Sequence, residues 1–147
     1  MMKLPLDAEV LIPHRKPMRV IDRLIESDGT SAIAEACFDL DCPFVIDSSG
    51  KIERLILIEL IAQSYAAGKG HEDLSCGKKP PKGYLVGISK AVFHGDAYAG
   101  QNLLVKIRTK DSFDDFFITA GEVFQQEKLI LEASLTIWIN SNTEQEM

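Results

Sequence analysis

From Arg54 to Gly70 the chain reads RLILIELIAQSYAAGKG, apolar on nearly every side at helical spacing, and this run narrows the available folds more than any other. A helix that is apolar all round must be covered all round, so the remaining chain has to wrap it. Within the run, Glu59 and Gln63 stand four residues apart and share one face. A carboxylate in such a setting needs a partner or water, or takes up a proton. Glu59 is therefore a candidate acid/base group and Gln63 a candidate orienter, the plainer alternative being a structural carboxylate bonded to backbone or to an arginine.

The flanking sequence supplies the cover. Asp7 to Leu11 fits a short helix ended by Pro13. Met18 to Ser27 and Ser31 to Phe38 are β-compatible and meet at Asp28-Gly29, a turn-favouring pair. Ala32, Ala34, Ala36 and Phe38 share one face, small enough for the helix to approach closely. Gly68 or Gly70 is expected to end that helix, followed by an exposed connection from His71 to Lys82. Four further strands are predicted over Tyr84 to Phe93, Asn102 to Lys110, Asp115 to Phe124 and Lys128 to Asn140. The last has the clearest alternation, with Leu129, Leu131, Ala133, Leu135, Ile137 and Ile139 on one face. The tail from Ser141 is polar and expected to fray. This order gives an α+β fold over residues 1–147 as one domain: an antiparallel sheet of about six strands wrapped around one helix, the hot-dog architecture. Its exposed sheet edge predicts a homodimer or a higher oligomer of dimers.

Charge and composition remove other classes of function. A net charge of −6 argues against a nucleic-acid or anionic-membrane surface. The N-terminus carries no secretory-signal pattern and the apolar helix is short for a bilayer, which predicts a cytoplasmic protein. Cys37, Cys42 and Cys76 form no CxxC pair and are expected to be reduced. Asp39, Asp41 and Asp47 lack a metal-loop spacing and read as a solvated loop.

Three segments carry a family resemblance. Leu11-Ile-Pro-His-Arg-Lys-Pro-Met-Arg-Val-Ile-Asp-Arg-Leu24 resembles the opening of the 3-hydroxyacyl-acyl carrier protein dehydratases, and Leu57-Ile-Glu-Leu-Ile-Ala-Gln63 is similar to their helix motif. Gly87-Ile-Ser-Lys-Ala-Val-Phe93, Gly95-Asp96 and Leu103-Leu-Val-Lys-Ile107 resemble the strand pair that follows. The resemblance implies dehydration of an acyl thioester carried on acyl carrier protein, with Glu59 as the acid, Gln63 beside it, and a histidine from the loop before the helix as the base. Helix N-terminal amides near Arg54 and Leu55 would polarise the thioester carbonyl. No metal or other cofactor is implied. The histidine falls at or next to Val45, yet no histidine lies between His14 and His71, and Glu53-Arg54 replaces the family's Pro-Gly.

Substitute bases are His94, at a strand end, and His14, whose plainer role is to fix a turn. His71 reads as solvent-facing. Lys78, Lys79 and Lys82 form a local basic set suited to an acidic carrier protein. Two further functions fit the same scaffold: a thioesterase in which Glu59 or Asp47 activates water, and a non-catalytic module binding acyl thioesters or acyl carrier protein.

Overall fold

The computed structural model describes residues 2–140, so the tail at 141–147 lies outside the described residues. The elements are β1 (Leu6–Asp7), α1 (Ala8–Leu11), β2 (Arg23–Ser27), β3 (Ser31–Ala36), α2 (Arg54–Ser75), β4 (Lys82–Phe93), β5 (Leu103–Phe113), β6 (Phe116–Gln125) and β7 (Lys128–Asn140). The strands form one antiparallel sheet in the order β1-β2-β3-β5-β6-β7-β4, with α2 packed on its inner face. This is the hot-dog fold, with a two-residue strand, β1, beyond the six expected.

Local chemistry explains the scaffold. Ala32, Ala34 and Ala36 are buried beneath α2, and Gly121 on β6 lies so close to Ile61 that a Cβ there would collide with it. The β6–β7 hairpin turns through Gln126 and Glu127, both at positive φ (52° and 65°), the backbone that a tight two-residue hairpin requires. At the β2–β3 turn the Asp28 carboxylate accepts hydrogen bonds from the amides of Thr30 and Ser31, and these hold its pKa below the usual range.

Three expectations need correction. Met18 to Asp22 is not strand; β2 begins at Arg23. The Val20 amide, which would otherwise serve a ladder, donates instead to the Gln63 side chain at 2.8 Å. The helix does not end at Gly68 or Gly70 but runs to Ser75. Both glycines serve close packing: a Cβ on Gly70 would strike the Leu11 carbonyl oxygen, and one on Gly68 would press on Ala32. His71 is not solvent-facing but buried, its Nε2 lying 2.8 Å from the Met2 carbonyl oxygen, because the N-terminal segment folds back over the helix.

The two sheet edges differ. β1 spans two residues and runs directly into α1, which packs on α2. Among the described residues β4 spans twelve residues, pairs only with β7 and exposes Tyr84, Leu85, Val86, Ile88 and Val92.

Candidate active site

A cavity of about 330 Å³ lies between α2, the Leu11–His14 segment, the start of β4 and the end of β7. Glu59, Ala62, Ala66 and Lys69 line it along the less buried stripe of the helix, and Gln63 and Gly70 complete the helical wall. Ile137, Ile139 and Tyr84 face them from the sheet. The 3.6-residue repeat puts residues 59, 62, 66 and 69 on one line, so the helix offers a small-residue groove with a carboxylate near one end and an ammonium near the other.

Gln63 is the fixed point of this site. Only 1% exposed, it accepts from the Val20 amide through Oε1 and donates through Nε2 to the Met18 carbonyl (2.8 Å) and to Glu59 Oε1 (3.0 Å). Both amide hydrogens are thus used, one to pin the N-terminal segment and one to hold the carboxylate. Glu59 itself is half-buried rather than enclosed, and the hydrogen bond to Oε1 leaves its second oxygen for a ligand.

The remaining candidates divide cleanly. His14 lines the same cavity, and its buried Nδ1 has no hydrogen-bond partner. His94 does not line it: the ring sits 3.9 Å from Glu132 at the far end of β4. Arg54 and Leu55 lie one turn before Glu59, outside the cavity lining. The Arg54 side chain binds Asp96 (3.3 Å) and stacks on Phe93, while the Leu55 amide donates to its capping carboxylate, Glu53 (2.6 Å). Asp47 closes an exposed turn, accepting from the Ser49 hydroxyl, which lowers its pKa. Lys82 lines the cavity mouth, whereas Lys78 and Lys79 are exposed beyond it.

Sequence reasoning missed Lys69 and Tyr65 as lining residues. Continuing the helical spacing from Glu59 through Ala62 and Ala66 finds Lys69, but Tyr65 is reached only with the fold known. Burial pushes the Tyr65 hydroxyl pKa well up, with Glu72 and Asp73 adding to the effect.

The family model for ApeP-like proteins, described as ApeP dehydratase, matches residues 6–147. The chain belongs to the ApeP-like dehydratase family. It is also 26% identical over 135 residues to the 3-hydroxyacyl-[acyl-carrier-protein] dehydratase FabZ of Syntrophotalea carbinolica, covering 88% of this chain and 90% of that one. Among solved structures it resembles the dehydratase heterocomplex ApeI:P from Xenorhabdus doucetiae, with a TM-score of 0.84, 18% identity and coverage of 96% and 95%. A hypothetical thioesterase from Streptococcus pneumoniae with coenzyme A matches at a TM-score of 0.62, with 11% identity and coverage of 80% and 86%. At these identities the structural likenesses establish the hot-dog fold alone. Membership of this dehydratase family points to a hydro-lyase, and among the described residues no helix is long and apolar enough to cross a membrane.

Proposed function

We propose that this ApeP-like chain dehydrates 3-hydroxyacyl thioesters carried on acyl carrier protein, contributing the acid half of a site that a second hot-dog chain completes along β4. The observation that carries this reading is the Gln63-held Glu59 in an apolar cavity whose wall includes the start of the edge strand β4. In the reaction a base removes the proton α to the thioester carbonyl. The electron pair forms the double bond, and the carboxylic acid of Glu59 protonates the departing β-hydroxyl, which leaves as water. Gln63 keeps the acid oriented throughout.

The base is the part this chain lacks in the expected loop. A partner carrying a histidine there would bring it across β4, and the FabZ relatives and the ApeI:P heterocomplex support an assembled, thioester-directed dehydratase. His14 is the internal candidate because it shares the cavity with Glu59. Carbonyl polarisation by the Arg54 and Leu55 amides requires Glu53 to release Leu55. Lys82, at the cavity mouth, suits the phosphate and acidic surface of a carrier-bound pantetheine arm.

The test is absorbance-monitored hydration of enoyl thioesters on carrier protein and pantetheine, with wild type beside Glu59→Gln and His14→Asn. Glu59→Gln should cost at least ~100-fold. A comparable loss in His14→Asn, with the chain active alone, would assign the base to His14 and remove the need for a partner's histidine. Release of free thiol instead of hydration would make the protein a thioesterase. Binding of acyl carrier protein without turnover of any kind would make it a binding module.

A further inference from the structure

A second cavity, of about 170 Å³, lies on the other side of α2, against β3, β5 and the β2–β3 turn. It is lined by Ser31, Ala32, Ile107 and Thr109 from the sheet and by Gly68 and Glu72 from the helix. Two residues line both cavities, Tyr65 and Lys69. Lys69 is tethered at the rim by Asp73, 3.5 Å away, whereas Tyr65 is 6% exposed and reaches between helix and sheet. Its ring packs on Phe117 of β6 with centroids 6.0 Å apart. Tyr65 stands between the space under β4 and β7 and the space under β5 and β3, with Phe117 behind it in the second cavity.

We infer that Tyr65, backed by Phe117, is the partition that limits acyl chain length, so that opening it joins the two cavities into one longer acyl tunnel. This rests on the proposed reading of the first cavity as the acyl site. Two observations support it. Beside Glu59 the groove wall offers only Ala62 and Ala66, and Lys69 is held aside by Asp73, so Tyr65 is the bulky side chain that a chain along this wall meets. Beyond the partition the second cavity presents Ala32 and Ile107, apolar surface that a longer chain could cover. Tyr65 is a specificity-determining residue in this account and takes no part in proton transfer.

The experiment measures binding of short, medium and long straight-chain acyl-pantetheine thioesters to the full chain. Wild type is compared with Tyr65→Ala, Phe117→Ala and Tyr65→Phe, each checked for native circular dichroism. Wild-type affinity should rise with chain length and then level off. In Tyr65→Ala or Phe117→Ala the rise should continue past that point by ~4-fold for each further methylene buried. Tyr65→Phe keeps the ring and should keep the wild-type profile. Should Tyr65→Ala fail to fold, Phe117→Ala, at a half-buried position, carries the same comparison. Wild-type binding with an unchanged length profile in the folded variants would overturn the partition alone. Absence of binding by wild type at every length would overturn the acyl-site reading and the partition with it.

Discussion

The two edges of the sheet solve the same problem in opposite ways. An edge strand offers unpaired amides and carbonyls, which natural proteins shorten, charge or cover. At β1 the chain does this for itself: the strand is two residues long, α1 follows at once, and Gln63 and Gly70 bind the neighbouring segment to the helix. At β4 the strand is neither shortened nor covered, and although Lys82 and Lys90 charge it, Tyr84, Leu85, Val86, Ile88 and Val92 stay exposed along a strand whose start lines the candidate site. A self-covered edge belongs to stability. An uncovered apolar edge next to a half-furnished site is what the proposed assembly across β4 would use.

Charge on β4 should break the comparison most severely. Ile88→Glu places a carboxylate on an exposed apolar position of the edge strand, so light scattering should show a lighter species. Hydration activity should fall at least ~100-fold as the partner's base is lost, with the thermal midpoint of the separated chain little changed. The self-covered side should respond in the other currency. Gln63→Leu leaves the Val20 amide and the Met18 carbonyl without their side-chain partner, costing about 1–3 kcal/mol in urea unfolding while the oligomer persists. Activity falls there as well, because Glu59 loses its holder.

The smallest effect concerns pH. Tyr65 has a folded-state pKa raised above its ordinary value of 10.0, since burial disfavours the phenolate. Below pH 10.0 this contribution to stability is fully present, and it is lost as pH rises from there toward the folded-state value, because the unfolded chain ionises first. Urea midpoints measured on the alkaline side should therefore fall more for wild type than for Tyr65→Phe.

Much of this was legible in the residues. The period-two pattern of β7, the alanine face of β3 and the long apolar helix each follow from local periodicity, and together they require a sheet around a helix. Glu59 and Gln63 were legible for the same reason, since four-residue spacing puts them on one face. What local pattern does not carry is contact between distant segments. Gly70 looks like a helix end because its partner, the Leu11 carbonyl, is far away in sequence. His71 looks exposed until Met2 is brought over it, and Tyr65 looks like ordinary core until a cavity is found on each side. The bare state of β4 is likewise a property of strand order.

The most direct test of the central claim, that the site is completed across β4, couples mass to turnover. Natively purified protein is separated by size, and each fraction is assayed by light scattering and by enoyl-thioester hydration. Turnover is expected only in fractions holding two or more chains, and is lost on dilution to the monomer. Full specific activity in the monomer fractions would contradict it and place the whole reaction within one chain.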